Sequence, residues 1–166
     1  YTRMENPNDP HPISYGLNSK VVKEDGKVVE KTWKVGGIYG PALEAIISHL
    51  EAAKAVAEND VQKQYIDELV EYYRTGDLRM WDKYNITWVA DTQSDIDFVN
   101  GFVEDYDDPL GRKASWEGIV NYRDREASKR TEIISSNAQW FEDNSPVDPR
   151  FKKEEVKGVS AKVINV

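Results

Sequence analysis

Alternating apolar residues near the start of the chain predict a β-hairpin. Two β-branched runs, SKVVKE and KVVEKTWKV, lie within Leu17–Val35 and are separated by Asp25 and Gly26. An Asp-Gly pair between two such runs is typical of a two-residue hairpin turn, because both positions of that turn need a positive φ angle. The segment before the hairpin, Tyr1–Tyr15, contains several prolines and predicts an extended arm.

A second hairpin is predicted in the middle of the chain, over the residues GFVEDYDDPLGRKASWEGIV. Along Ile96–Tyr106, alternation places five side chains on one face of the first strand: Ile96, Phe98, Phe102, Glu104 and Tyr106. Asp108–Gly111 then fits a type I turn, with Asp, Pro and Gly at the positions that this turn prefers. Glu104 and Tyr106 would project the same way and could bind one small ligand. The simpler interpretation is that both only line a sheet surface.

Apolar residues at helical spacing predict an antiparallel helical hairpin after the first β-hairpin. Pro41 suits the first turn of a helix over Ala42–Ala57. A second helix is expected to begin at Asn59, with Gln62 three residues later as in a capping box, and to end by Gly76. The two apolar stripes comprise Leu43, Ile46, Ile47, Leu50 and Ala53 in the first helix and Val61, Tyr65, Leu69, Tyr72 and Tyr73 in the second.

Three further segments complete the predicted elements. Asp77–Trp88 is dense in aromatic residues and fits either a short helix or a strand. Asp124–Asn137 predicts a third helix with alternating charges on its exposed side, and Val156–Val166 alternates as a last strand. A chain of 166 residues is long enough for one domain with a hydrophobic core. The elements together predict an α+β fold, with residues 1–166 as a single domain or a fragment.

The charge of the chain excludes some partners and favours others. Its formal net charge is −8, whereas a nucleic-acid interface needs clustered Lys and Arg, so no nucleic-acid partner is expected. No apolar run approaches the roughly 20 residues that cross a bilayer, so no membrane partner is expected. The acidic residues between positions 91 and 108, without one base among them, are Asp91, Asp95, Asp97, Glu104, Asp105, Asp107 and Asp108. Such a surface favours cations, including the N-terminal ammonium of a peptide, unless it is only a solvated face.

The histidines and cysteines of the chain argue against a metal site. A zinc peptidase needs two histidines on one face of a helix and a glutamate that activates water. The two histidines here, His11 and His49, lie in an arm between prolines and in a predicted helix, respectively. The chain has no cysteine, which excludes disulfides and thiolate chemistry. We therefore expect this chain to bind no metal.

The central hairpin also resembles a known family. The segment GFVEDYDDPLG followed by SWEGIV is similar to the glutamate–x–tyrosine–x–aspartate–proline region of the dipeptidyl peptidase III family, which comprises zinc-dependent exopeptidases. The likeness extends from HPISYGLNSKVVKEDG to the closing KGVSAKVINV and suggests a bacterial-type member. Asp107 makes the turn more acidic than is usual for the family, and the family's zinc motif is missing.

The resemblance implies roles for three residues. Glu104 matches the acid that binds the substrate's N-terminal ammonium, and a carboxylate binds such a group by a charge-assisted hydrogen bond. Tyr106 matches the phenol that hydrogen-bonds the peptide near the scissile carbonyl and stabilises the oxyanion, which makes it the catalytic candidate. Glu117, in the Trp-Glu-Gly step, matches another acid, which is associated with the lower side of the substrate cleft.

The resemblance also implies what surrounds this chain. Residues 1–166 would supply the substrate-binding lobe, whose core is a partly barrel-like sheet of β-hairpins, and the Arg125–Phe141 helix would extend toward the other, zinc-bearing lobe. The intact parent would be a cytoplasmic metallopeptidase that removes dipeptides from oligopeptides with a free N-terminus. The chain begins at Tyr1 without a methionine and ends at Val166 within a predicted strand. We therefore expect a piece of a longer protein that is inactive alone.

Two other functions fit the same residues. Glu104 and Glu117 could form the paired carboxylates of a glycosidase if the hairpin places them on neighbouring strands about 5 Å apart, with Trp116 as a sugar platform. The alternation argues against this arrangement, because it need not put both carboxylates on one face. The chain could also be a non-catalytic peptide-binding or scaffold module that uses its sheet edges and acidic surface.

Overall fold

The computed structural model describes residues 1–2, 4–156 and 164–165. Helices and strands occur in a mixed order along the chain, which confirms the predicted α+β class. The described strands lie in two sheets rather than in one. The chain divides into two compact units, the first comprising Tyr1–Ser94 with Val99–Gly118 and the second comprising Asp95–Phe98 with Ile119–Val166.

The first sheet is the hairpin that the Asp-Gly pair predicts. Strand β1, Ser19–Glu24, is antiparallel to β2, Lys27–Thr32, and the register pairs the first residue of β1 with the last of β2. Asp25 and Gly26 have φ angles of 49° and 79°. Two consecutive positive φ angles are the condition for the turn whose twist matches that of the flanking strands. The predicted hairpin is confirmed.

Three helices follow β2 in the first unit. Helix α1 spans Gly40–Ala55, α2 spans Asp60–Thr75 and α3 spans Leu78–Ala90. The side chain of Asn59 accepts a hydrogen bond of 2.8 Å from the Gln62 amide and caps α2, as predicted. The aromatic segment Asp77–Trp88, whose sequence fits either a helix or a strand, is a helix and forms most of α3.

Helix α2 is the centre of the core. Its buried apolar residues are Tyr65, Ile66, Leu69, Val70, Tyr72 and Tyr73. The ring of Trp81 in α3 lies 5.0 Å from that of Tyr72, and the ring of Tyr84 lies 6.2 Å from that of Tyr65. The aromatic residues of α3 thus pack on α2, and this packing is what selects a helix over a strand for that segment.

The second sheet contains the central hairpin. Strand β3 spans Ile96–Glu104 and lies beside β4, Ser115–Arg123, which is antiparallel to β5, Ile164–Asn165. The prediction that β3 continues to Tyr106 is wrong. The chain already turns after Glu104, where the amide of Asp108 donates to the carbonyl of Asp105 at 3.0 Å.

The second unit contains the remaining helices. Helix α4 spans Arg125–Ser136, as predicted, and is capped by Asp124, whose carboxylate accepts a 2.8 Å hydrogen bond from the amide of Ala127. The expectation of one helix over Arg125–Phe141 is wrong, because α4 ends at Ser136 and a separate helix, α5, spans Ala138–Asn144. A 3₁₀ turn spans Pro149–Phe151. Most of the strand expected over residues 156–166 lies outside the described residues. Among those that are described, no helix is long and apolar enough to cross a membrane.

Candidate functional site

A cavity of about 410 Å³ opens beside the end of β3, in the first unit. Its walls are formed by Lys20, Trp33, Ile38, Tyr39, Glu104, Asp107, Asp108, Lys113, Ala114 and Ser115. We call it the polar cavity, because three carboxylates and two ammonium groups contribute to its walls. Of the three residues singled out from the sequence, Glu104 alone lines it.

A second cavity, of about 500 Å³, adjoins the first. Its walls are formed by Trp33, Tyr39, Ala42, Leu43, Ile46, Phe102, Ala114, Ser115 and Trp116. We call it the aromatic cavity, since four aromatic rings line it and no charged side chain does. Trp33, Tyr39, Ala114 and Ser115 line both cavities, so the two share one wall.

Glu104 is placed at the polar cavity by the end of its strand. It is the last residue of β3, half-buried, and its carbonyl accepts a hydrogen bond of 3.3 Å from the Ser115 hydroxyl at the start of β4. Phe102, two residues earlier on the same face, is buried and lines the aromatic cavity. Within the described part of the chain, no Lys or Arg forms an ion pair with the Glu104 carboxylate. That carboxylate is therefore available to a cationic ligand.

The turn after β3 fixes a second carboxylate at the polar cavity. The amide of Gly111 donates to the carbonyl of Asp108 at 2.8 Å, which confirms the turn predicted over Asp108–Gly111. The Asp108 carboxylate accepts hydrogen bonds from the amides of Arg112 at 3.0 Å and Lys113 at 3.2 Å. These two backbone hydrogen bonds hold the pKa of Asp108 below its ordinary value, so that its negative charge persists at mildly acidic pH.

Tyr39 adopts an unusual backbone conformation where the two cavities meet. Its φ angle is 63°, in the left-handed region, and its carbonyl accepts the first hydrogen bond of α1 from the amide of Leu43 at 2.9 Å. A residue with a side chain is strained there by about 1–3 kcal/mol, and such strain is concentrated at functional sites. The Tyr39 ring stacks on Phe102 with centroids 6.4 Å apart and contacts Trp33 edge-on at 5.6 Å.

Trp116 is held in the wall of the aromatic cavity by the protein core. Its indole nitrogen donates to the hydroxyl of Tyr73 at 3.1 Å, and that hydroxyl donates to the side-chain oxygen of Asn100 at 2.5 Å. Tyr73 is fully buried, and burial raises the pKa of its hydroxyl, which therefore stays protonated and can donate. The Trp116 ring remains 45 % exposed.

The structure separates the other two predicted site residues from these cavities. Tyr106 lies in the turn after β3 and is 75 % exposed, outside the walls of both cavities. Glu117 is a half-buried residue of β4 and also lies outside both walls. Trp33 and Tyr39 were not predicted as site residues. The available signal was the pair of aromatic residues that flanks Gly36 and Gly37 in the sequence.

The described residues do not fit a zinc ion. Among them, no group of three or more His, Asp or Glu side chains is arranged so that it could hold a metal. His11 lies in the arm, where its amide donates to Asp9 at 2.9 Å, and His49 is an exposed residue of α1. A zinc site of the kind that the resemblance implies would therefore need residues beyond those described.

Comparison with known proteins identifies the family. The model of peptidase family M49 matches residues 15–162, which is most of the chain. The chain belongs to peptidase family M49. This assignment confirms the resemblance to dipeptidyl peptidase III that the central hairpin indicated, since curated relatives of this M49 chain are dipeptidyl peptidases 3.

The relatives are much longer than this M49 chain. Dipeptidyl peptidase 3 of Rattus norvegicus is 30 % identical over 118 residues, which cover 71 % of this chain and 16 % of the rat protein. The solved structure of DPP III from Caldithrix abyssi superimposes with a TM-score of 0.71 at 23 % identity, over 84 % of this chain and 26 % of that one. The enzyme from Corallococcus sp. strain EGB gives a TM-score of 0.60 at 21 % identity. The structural likeness shows that the fold is shared.

Proposed function

We propose that this chain is the substrate-binding lobe of an M49 peptidase that releases dipeptides from the N-termini of oligopeptides. The observation that supports it most is the half-buried Glu104 carboxylate, which has no ion-pair partner among the described residues and lines the polar cavity. A carboxylate in such a position binds an ammonium through charge-assisted hydrogen bonds, which are stronger than neutral ones. Asp107 and Asp108 add two negative charges to the same cavity, against the two positive charges of Lys20 and Lys113, so the wall keeps an excess of one negative charge that favours a cation.

The roles of the remaining residues rest on the match of the hairpin motif to the family. Tyr106 follows Glu104 by two residues, and its exposed hydroxyl would donate to a peptide carbonyl and stabilise the oxyanion that develops there. Glu117 on β4 is the third proposed substrate-binding residue. Zinc belongs to the other lobe in this proposal, because the described residues do not fit it. The intact protein would act in the cytoplasm on peptides with a free N-terminus, and the chain alone would be inactive.

The first experiment compares this chain with its full-length parent. Cleavage of a dipeptidyl-arylamide is measured for both in the presence of added zinc. We expect the parent to release the arylamine and the isolated chain to release none. Activity of neither protein would overturn the peptidase function and leave the alternative, a non-catalytic peptide-binding or scaffold module. The glycosidase alternative has no support from the cavity that Glu104 lines, because Glu117 does not line it.

Two variants of the parent test the residue roles. Glu104→Gln removes the charge that binds the ammonium, and hydrogen bonds to charged groups contribute about 1.5–3 kcal/mol, so KM should rise about tenfold or more. Tyr106→Phe removes a donor to the oxyanion, so kcat should fall by about 10²–10³ with a smaller change in KM. Equal effects of both variants on both parameters would contradict these roles. With an N-acetylated substrate, which lacks the ammonium, wild type and Glu104→Gln should have the same KM.

A further inference from the structure

A third cavity, of about 720 Å³, opens beside the hairpin of β1 and β2 in the first unit. The charged residues of its walls are Lys20, Lys23, Lys31, Lys34, Glu24 and Glu30, and we call it the lysine groove. Its four ammonium groups exceed its two carboxylates by two, although the whole chain has a formal net charge of −8. A local excess of positive charge on an acidic chain favours an anionic ligand.

The two carboxylates of the groove leave most of its lysines without an ionic partner. Glu24 forms an ion pair of 2.9 Å with Lys31, and Glu30 accepts a hydrogen bond of 2.6 Å from the hydroxyl of Ser19. Within the part of the chain that the structure describes, the other three lysines of the groove form no ion pair. Three ammonium groups of the groove can therefore pair with a bound anion.

The register of the hairpin places two positive charges of the groove directly opposite each other. Lys20 on β1 pairs with Lys31 on β2. Directly opposite side chains of an antiparallel pair have Cβ atoms about 4.5–5.5 Å apart, and like charges in that arrangement destabilise the sheet. An anion bound in the groove offsets this repulsion, so its binding should also stabilise the hairpin.

Lys34 is the lysine of the groove whose position is most closely defined. It is half-buried, and two glycines leave room for its side chain. A Cβ atom added at Gly37 would lie 3.2 Å from the Cγ atom of Lys34, and one added at Gly76 would lie 3.3 Å from its Cδ atom. The amide of Val35, the next residue, donates to the carbonyl of Tyr73 in α2 at 2.9 Å and anchors the segment. A side chain that is ordered in advance loses little conformational entropy when a ligand binds.

We propose that the lysine groove binds a phosphate group, either as free phosphate or as part of a small molecule. A phosphate ester carries about 1.5–2 negative charges at pH 7 on one centre, which matches the excess of two positive charges in the groove, whereas a carboxylate supplies one. Lysine binds phosphate as a point charge, without the planar geometry that arginine requires. The inference is independent of the proposed peptidase function, because it requires no ligand at Glu104.

Three single substitutions in the hairpin and the segment after it test this inference. Lys34→Gln removes the half-buried charge of the groove. Lys23→Gln removes a second charge at an exposed position of β1 and serves if the first variant is unstable. Lys27→Gln is the matched control, since Lys27 is an exposed lysine of β2 that does not line the groove. Lys20 is left unchanged, because it also lines the polar cavity.

The measurement is isothermal titration calorimetry of the full-length protein at low salt, with inorganic phosphate and with adenosine monophosphate. Lys34→Gln should raise the Kd of either compound by about tenfold, as expected for the loss of one hydrogen bond between charged groups. Lys23→Gln should raise it by a smaller factor, and Lys27→Gln should leave it unchanged. Phosphate bound elsewhere in the protein contributes equally to all variants, so the difference between them reports on the groove.

The melting temperature gives a second readout. Phosphate should raise it in wild type and in Lys27→Gln more than in Lys34→Gln, because a ligand that binds only the folded state stabilises that state. Tighter binding of adenosine monophosphate than of phosphate would identify a phosphorylated small molecule as the ligand, and the reverse order would identify free phosphate. Either order supports the inference.

Three outcomes would overturn the inference. The first is that wild type binds neither compound, or that all variants bind them with the affinity of wild type. The second is that tetraglutamate binds more tightly than either phosphate compound and is lost in Lys34→Gln, because the groove would then bind acidic polypeptides. The third is that Lys34→Gln lowers the melting temperature without phosphate while Lys23→Gln binds phosphate as wild type does, since Lys34 would then have a structural role only.

Discussion

The Tyr73 hydroxyl connects the core of the first unit to the aromatic cavity. It accepts a hydrogen bond from Trp116 and donates one to Asn100, so three side chains from α2, β3 and β4 meet at one atom. The sequence showed Tyr73 only as one member of an apolar stripe, because helical spacing identifies the buried face and not the partner of a buried polar atom.

Removal of that hydroxyl should destabilise the fold and loosen Trp116. Tyr73→Phe leaves the Asn100 oxygen and the Trp116 nitrogen without this partner, which costs about 1–3 kcal/mol when such groups are buried and less when they reach water. Because both partners are partly exposed, we expect a loss near the lower end of that range in urea unfolding. Tyr122→Phe, at an exposed residue of β4, is the control and should change stability by less than about 0.5 kcal/mol. Equal stability of the two variants would contradict the proposed importance of this contact.

Glu104 shows what a single motif can establish at this scale. Its position in the hairpin motif predicted it as a site residue, and the structure shows that it lines a cavity. The same motif gave no indication of Trp33 or Tyr39, which come from a segment about 70 residues earlier and reach Glu104 only through the fold. The position of Tyr106 was predicted from an alternation that ends with the strand at Glu104.

At the scale of elements, the end of α2 depends on a glycine. Gly76 has a φ angle of 72° and ends the helix, and its amide donates to the carbonyl of Tyr72 at 2.7 Å. A Cβ atom added at this position would lie 2.6 Å from the Cγ2 atom of Thr32, the last residue of β2. The connection between α2 and the first sheet is therefore closely packed.

A pair of glycine substitutions separates the two effects at Gly76. Gly76→Ala combines the left-handed backbone, which costs about 1–2 kcal/mol, with a steric contact that costs about 1–3 kcal/mol more. Gly26→Ala, in the first hairpin turn, has a similar φ angle of 79° but no atom within 4 Å of the added Cβ, so only the backbone cost applies. We expect Gly76→Ala to be the more destabilising variant in urea unfolding. Equal losses would mean that Thr32 moves aside at no cost.

The elements that the sequence predicted correctly are those with local causes. The Asp25-Gly26 turn, the Asn59 cap and the α4 helix depend on residues a few positions apart, so their signals lie within one window of the sequence. The secondary structure of Asp77–Trp88 could not be predicted this way, because its aromatic residues fit both the helical and the strand period. Contacts of Trp81 and Tyr84 with α2 decided it, and those contacts join residues of two different elements, which the periodicity of a single segment does not show.

At the scale of the whole molecule, hydrogen-bonded carboxylates link stability to pH. Backbone hydrogen bonds from Arg112 and Lys113 lower the pKa of Asp108, and those from His11, together with the Arg79 side chain, lower the pKa of Asp9. A carboxyl group whose pKa is lower in the folded than in the unfolded state stabilises the fold at pH values above its ordinary pKa of 3.8. This stabilisation is lost as the pH falls from the ordinary pKa to the lowered pKa of the folded state.

The contribution of Asp108 can be measured by urea unfolding at pH 6 and pH 3. Asp108→Asn cannot ionise, so we expect its stability to fall less than that of wild type between these two pH values. Asp107→Asn removes a charge of the same sign from the same cavity without removing the backbone hydrogen bonds that Asp108 accepts. This control should keep the pH dependence of wild type, and the same reduced dependence in both variants would contradict the role of Asp108.

The sequence by itself determined the elements with local causes, the turn after β3, the family and, in Glu104, one of the carboxylates that line the polar cavity. These follow from short-range spacing, capping and a contiguous motif. The tertiary structure alone decided that the cavity beside Glu104 adjoins an aromatic one, because Trp33, Tyr39, Phe102 and Trp116 come from separate segments that meet only after packing. It also decided that β3 ends before Tyr106. The physical reason is that periodicity specifies which face of an element is buried, whereas the neighbour of that face is chosen by contacts across the fold.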